Sequence, residues 1–194
     1  MKSFALCLVL LLVLSASAAF AADNKILVAV FSRADENYGV GNIEKGNTLV
    51  LAEMIAERTG GELFEIKPAK PYPKDYTRTT EIAKQEQNDN ARPALAADKD
   101  ISGYDVIFLG YPNWWGDMPM IIYTFLEAHD FKGKTVIPFC THGGSGLSST
   151  ESTLRRKLDG ARLMKGLAVT GTTAQNNRDR ARYSVNTWLE GLGF

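Results

Sequence analysis

Apolar and polar positions come in blocks along most of the chain. Residues 25–31 (Lys-Ile-Leu-Val-Ala-Val-Phe) form a nearly continuous apolar run. That length and composition predict a strand buried on both faces, since a half-exposed strand would alternate. Residues 48–58 instead set Val50, Leu51, Met54 and Ile55 at helical spacing, and Gly60-Gly61 ends the helix. A short strand follows at 62–66, with charges that suit a sheet edge. Segment 67–76 holds three prolines and reads as a surface loop, and a polar helix over 79–91 stops before Pro93. The third strand spans 104–110. Asp117 is placed as the N-cap of a helix with Pro119 in its first turn, running to about 129. The fourth strand, 134–140, contains Pro138, which cannot donate to a ladder, so a local irregularity is expected there. Ser148-x-x-Glu151 has the capping-box pattern for a helix reaching about 158. A fifth strand covers 163–170, and the last helix puts Ala181, Val185, Trp188, Leu189 and Leu192 on one face.

Five strands alternating with five helices require right-handed crossovers and a parallel sheet covered on both faces. Strands one, three and four are the most apolar and belong in the centre. The second strand is charged and belongs at an edge. The order 2-1-3-4-5 satisfies both, and it gathers the loops after strands one, three and four at one edge.

The first 21 residues stand apart from this alternation. Lys2, an apolar run over 4–14 and the small-x-small site Ala19-Phe20-Ala21 make a secretory leader with cleavage after Ala21. The expectation is therefore a single domain over 22–194, in the periplasm or secreted. No membrane insertion is expected after cleavage. The chain balances 22 basic against 22 acidic residues, and loss of Lys2 leaves a net charge of −1. Such a balance gives no footing for nucleic acid. Cys140 is the single cysteine left, so no intrachain disulfide can form, and an inert buried thiol is expected. The two histidines and Cys140 have no ligand spacing, so no metal is expected.

The loops carry the candidate chemistry. Tyr111-Pro112-Asn113-Trp114-Trp115-Gly116 follows the third strand and offers two stiff aromatic surfaces to a flat ring; the alternative is that both tryptophans cap the core. The loop over 32–47 is Gly-rich and ends at a helix N-terminus, where free N–H groups suit an anion. Gly41 to Thr48 has Walker A spacing, but Asn47 stands where lysine is required, which argues against a nucleoside triphosphatase. Gly39-x-Gly41 opens a dinucleotide fingerprint, but Glu44 occupies the third glycine. A site for one phosphate survives, formed from Ser32, Asn47, Thr48 and backbone N–H groups. The third loop, Thr141-His142-Gly143-Gly144-Ser145-Gly146, lets backbone approach a ligand closely. A serine hydrolase based on Ser145 and His142 would need glycine at 147, where the chain has Leu147. His129, at a helix end, is expected to be solvated.

One phosphate, a flat aromatic ring and polar ring edges together describe flavin mononucleotide (FMN). The stretches 28–33 (Val-Ala-Val-Phe-Ser-Arg), Gly46-Asn47-Thr48, 110–116 and 141–146, with Asn90 to Ala94, resemble the short-chain flavodoxin-like proteins marked by a Tyr-Pro-x-Trp-Trp-Gly loop. The resemblance covers essentially the whole mature chain. It implies a flavodoxin-like three-layer α/β sandwich with FMN as cofactor. The phosphate would be held among Ser32, Arg33, Asn47 and Thr48, and the ring by Pro112 to Gly116 and Thr141 to Gly146. The phosphate loop departs from the compact form of ordinary flavodoxins, because Ser32 and Thr48 lie far apart. The near-neutral charge also departs from their acidity.

The expected function is electron transfer between FMN and either a redox partner protein or a small acceptor such as a quinone. Whether it is an enzyme or a carrier stays open, and no protein side chain need be catalytic. The alternative is a non-catalytic ligand-binding or sensory domain of the same fold. Exposed aromatic loops also suit a homodimer.

Overall fold

The computed structural model describes residues 24–194; the expected leader lies outside the described residues. β1 (Ile26–Val30), β4 (Glu62–Glu65), β5 (Val106–Pro112) and β6 (Thr135–His142) form a parallel sheet in the order β4-β1-β5-β6. Two short strands, β7 (Arg162–Leu163) and β8 (Leu167–Thr170), both pair with β6 at the far edge. The expected order is therefore present, with the fifth strand broken in two.

Pro138 is the reason for the break. Val136 turns its carbonyl to the edge strand, accepting from the Met164 amide, so Pro138, two residues on, turns the same way with no N–H to give. Opposite it the edge strand bulges, and a Cβ at Gly166 would lie 3.0 Å from the Pro138 carbonyl oxygen. The Gly166 amide donates instead to Glu151 Oε1 at 2.8 Å. Glu151 thus serves the bulge and not a capping box. Ser148 has φ of 49° and the following helix starts only at Thr150, without a side-chain cap.

Alternation along the buried strands builds two cores, one on each face. Val28, Val30, Phe108, Ile137 and Phe139 point to one face. There they meet α1 (Asn47–Thr59), a short helix α5 (Gly171–Asn176) and α6 (Arg178–Leu192). The face of α6 is the expected one, with Ala181, Val185 and Leu189 buried. Leu27, Ala29, Ile107, Leu109 and Cys140 point to the other face. It is covered by α3 (Met120–Ala128) and α4 (Thr150–Lys157). Polar α2 (Tyr76–Asn88) lies at the margin, burying only Thr79 and Ala83.

Several boundaries move. α2 starts at Tyr76 and not at 79, because Asp75 Oδ1 accepts from the Arg78 amide and caps it. α3 is preceded by Pro119 at the cap position. Asp117, expected as its N-cap, instead accepts from the Met118 amide and the Tyr123 hydroxyl, both at 2.7–2.8 Å. His129 is not solvated: its side chain packs against Phe125 and Phe131, with Nε2 2.9 Å from Asp98. The loop over 32–47 is not irregular. It contains an antiparallel hairpin of β2 (Asp35–Asn37) and β3 (Gly41–Ile43), outside the main sheet.

Candidate functional site

A cleft of about 280 Å³ opens at the carboxyl end of the sheet, where β1, β5 and β6 stop. The break in strand order lies here: the chain leaves β1 to one side and β5 to the other, so the loops diverge and leave a crevice.

Its floor is the N-terminus of α1. Gly46 precedes the helix because nothing larger fits: a Cβ would lie 2.3 Å from Ser32 Oγ and 2.5 Å from the Arg33 carbonyl oxygen. Ser32 Oγ accepts from the Leu49 amide at 3.0 Å, capping the helix from a distant segment. The amides of Asn47 and Thr48 have no intrahelical acceptor, and no acidic residue sits in the first turn. Thr48 and Thr141 are both buried and share a 2.7 Å hydrogen bond between their hydroxyls. The Asn47 side chain lines the cleft yet has no hydrogen-bond partner in the protein, and its Oδ1 is buried.

Arg33 also lines the cleft, but most of its donors are spent. Nε and Nη2 donate to the Pro73 carbonyl at 3.2 and 2.7 Å, Nη2 also to Lys74, and Nη1 to Glu36. Burial holds its pKa below the usual value, against the opposing pull of Asp35, Glu36 and Asp75. It is a clamp between the first loop, the hairpin and the entry to α2. Gly39 and Gly41, with φ of 71° and 70°, serve the turn of that hairpin and not a phosphate cradle.

The two tryptophans separate. Trp114 is half-buried and meets Phe31 and Tyr72 edge-on, with centroids 5.4 and 5.1 Å away. Trp115 is 56 % exposed. It occupies a four-residue turn closed by reciprocal backbone bonds between Trp114 and Asp117. Trp115 and Gly116 both have positive φ there, 55° and 80°, the signature of a type I′ turn. A bulky residue seldom adopts that conformation. Its Nε1 donates to the Thr80 carbonyl at 3.0 Å, pinning the indole to α2.

Asn113 joins this turn to the third loop: Nδ2 donates to the Gly146 carbonyl at 2.8 Å and Oδ1 accepts from Gly116. His142 Nδ1 accepts from the Gly144 amide at 2.9 Å, which puts the ring proton on Nε2. Burial lowers the pKa of His142 and favours this neutral form. Nδ1 is thereby unavailable as a base for Ser145, which is exposed. Burial pushes the Cys140 thiol up to about 12, so it stays inert.

Of the residues singled out in the sequence, Arg33, Asn47, Pro112, Asn113, Trp114, Trp115, Thr141, His142 and Gly143 line the cleft. Ser32, Thr48, Gly116, Gly144, Ser145 and Gly146 do not; of these, Thr48, Gly116, Gly144 and Gly146 hydrogen-bond to lining residues. A further wall escaped the sequence reading. It consists of Asn37 and Tyr38 on the hairpin and Tyr76, Thr79, Thr80 and Ala83 on α2. The α2 residues follow the i, i+3, i+4, i+7 spacing of one helix face, a signal that was present. Gly171, behind Asn47, was also missed; a Cβ there would lie 2.5 Å from Asn47 Nδ2.

The flavodoxin family model matches residues 25–190. Among solved structures, a candidate flavoprotein of Bacteroides eggerthii is 33% identical with a TM-score of 0.71, over 89% of this chain and 99% of its own. Another, from Bacteroides uniformis, is 35% identical with a TM-score of 0.69, over 86% of this chain and 98% of its own. A Lactobacillus acidophilus flavoprotein solved in complex with FMN shares the fold at 22% identity and a TM-score of 0.61, over 81% of this chain and 97% of its own. No curated protein matches this sequence.

Proposed function

The chain belongs to the flavodoxin family, and on that premise we propose that it is an FMN-binding redox protein, exported to the periplasm or beyond. The observation that carries this is the unpartnered Asn47 amide beside two free helix N-terminal amides, at the floor of an aromatic cleft. An unpaired buried amide oxygen costs roughly 1–3 kcal/mol, so the site awaits a polar ligand. A phosphate suits the free N–H groups and the helix dipole, and a hydroxylated chain suits an amide that both donates and accepts. The similarity to an FMN complex in the same fold supports the same ligand.

The residues divide the work. Asn47 and the Asn47 and Thr48 amides hold the phosphate. Trp115, in the Tyr-Pro-x-Trp-Trp-Gly loop, offers its exposed face to the ring, and the 141–146 loop approaches its edge. His142, neutral with Nε2–H free, donates to a ring acceptor without adding charge. Bound FMN supplies one- and two-electron chemistry, while the protein orients it and tunes its potential. Electrons pass to or from a partner protein or a small acceptor such as a quinone.

The test is an absorbance spectrum of protein beginning near residue 22, before and after addition of FMN and gel filtration. A retained flavin spectrum with quenched fluorescence is expected. A colourless protein after FMN treatment would sink the redox reading and leave a binding or sensory domain in its place. Export is tested separately, by the mass of the N-terminal peptide of protein recovered from cells.

A further inference from the structure

The cleft has an outer wall that the cofactor reading does not use. The β2–β3 hairpin pairs with no strand of the main sheet. It is fastened instead to the entry of α2: the Glu36 amide donates to the Lys74 carbonyl at 3.2 Å, and the Tyr76 amide donates to Glu36 Oε2 at 2.9 Å. Arg33 clamps the same two segments. Hairpin and α2 therefore act as one unit, standing across the cleft from the loops that end β5 and β6.

That unit carries aromatic surface in an unusual place. Tyr38, at the hairpin tip, is 65 % exposed, lies against Gly143, where a Cβ would stand 2.8 Å from its ring, and sits 6.3 Å from the Tyr76 ring. Trp115 faces the same opening and is held to this unit through Thr80. With Trp115 taken by the flavin, the Tyr38 ring remains in water at this mouth, a cost in hydrophobic stabilisation that a second flat ligand would recover.

The lining selects the ligand further. No Asp, Glu or Lys lines the cleft, and its one cation, Arg33, is engaged by backbone carbonyls. The cleft lining itself therefore offers an anionic or cationic ligand no free counter-charge, and Lys84 on α2 lies outside that lining, over the Trp115 ring at 5.4 Å. The hydroxyls of Tyr38 and Tyr76 have no partner within the protein and can donate to carbonyl oxygens. We propose that Tyr38, with Tyr76 beside it, forms an acceptor wall that takes a flat, uncharged aromatic carbonyl compound of the quinone class. This rests on the FMN reading and assigns the small acceptor, not a protein partner, to the opening.

The experiment uses oxidised, FMN-loaded protein titrated calorimetrically with naphthoquinone and, separately, with its anionic sulfonate. FMN affinity is measured first, by flavin fluorescence, on wild type, Tyr38→Ala and Tyr38→Phe. Naphthoquinone should bind wild type, and Tyr38→Ala should weaken it by roughly tenfold or more through lost stacking. Tyr38→Phe should keep most of the affinity, the sulfonate should bind worse than the parent, and FMN affinity should be unchanged in both variants. An exposed tip residue leaves folding intact, which a thermal melt verifies. Naphthoquinone affinity that ignores Tyr38→Ala, or absent in wild type, overturns the wall. So does an equal loss of FMN, which would place Tyr38 in the cofactor site. A wild-type protein that holds no FMN brings down the cofactor reading before any quinone is added.

Discussion

The inner side of the cleft, where β1, β5 and β6 end, spends its polar groups on itself: Thr48 on Thr141, Ser32 on the Leu49 amide, Asn113 on Gly146. It stands on the buried strands. The outer side, the hairpin and α2, stands on a guanidinium that grips backbone carbonyls, and it leaves Tyr38 in water. One side is rigid because the cores of both faces run beneath it. The other is held by a few polar ties, so it can be altered, by mutation or by ligand, without disturbing the fold. That division suits the redox role proposed above, in which the cofactor side would hold fixed geometry and the acceptor side would let a molecule in and out.

The largest contrast should appear in stability. Phe139 is fully buried, directly beneath Gly110, where a Cβ would meet its ring at 2.2 Å. Phe139→Ala should cost about 3–5 kcal/mol in denaturant unfolding. Tyr38→Ala should stay within about 0.5 kcal/mol. Comparable losses would mean that the hairpin is part of the core's cooperative unit.

The adjacent tryptophans should split the same way. Trp115→Ala should weaken FMN by about 1–3 kcal/mol, by analogy with base–aromatic stacking, with little change in melting temperature. Trp114→Ala should lower the melting temperature first, because its ring packs on Phe31 and Tyr72. The reverse pattern in paired melts and FMN titrations would exchange their roles.

The phosphate floor sharpens the comparison within the inner side. Asn47→Ala should weaken FMN by roughly 0.5–1.5 kcal/mol and riboflavin less, since only FMN carries the phosphate. Thr48→Ala should weaken both ligands alike, because its hydroxyl belongs to Thr141 and its loss strands a buried partner. Titrations with both ligands separate the two outcomes.

The smallest effect tests a tie at the far end of α2. Arg92, in the loop after α2, donates to Glu127 on α3 at 2.6 Å, and Lys157 joins at 3.0 Å. The bonds from Arg92 and Lys157 depress the Glu127 pKa from 4.5 to about 2. A depressed acid contributes stability above its unfolded pKa and loses it as pH falls, here between about 4.5 and 2. The pair is largely exposed, so Glu127→Gln should cost under about 1 kcal/mol at neutral pH. It should also flatten the acid limb of the stability profile. A profile unchanged by Glu127→Gln would show that this tie contributes nothing.

The sheet order was legible because buried parallel strands must be continuously apolar, and 25–31 and 104–110 have that pattern. The irregularity at Pro138 was legible for an equally local reason, the missing N–H. The capping roles of Asp117 and Ser148 were misread: each pattern was present, but a Tyr123 hydroxyl and an edge bulge offered the polar groups better partners. The hairpin within 32–47 was unreadable as strand, since its three-residue strands are polar and its glycines fit a cradle as well as a turn.

The sequence by itself determined which segments are buried, their order in the sheet and which three loops converge, because burial and chain connectivity are written in local composition. Only the tertiary structure decided that Ser32 caps a helix fifteen residues on, that Arg33 clamps carbonyls and that Thr48 is spent on Thr141. It also separated a packed Trp114 from an exposed Trp115. Each of these depends on which acceptor lies within hydrogen-bond reach once distant segments meet, and a single strand of text carries no such distances.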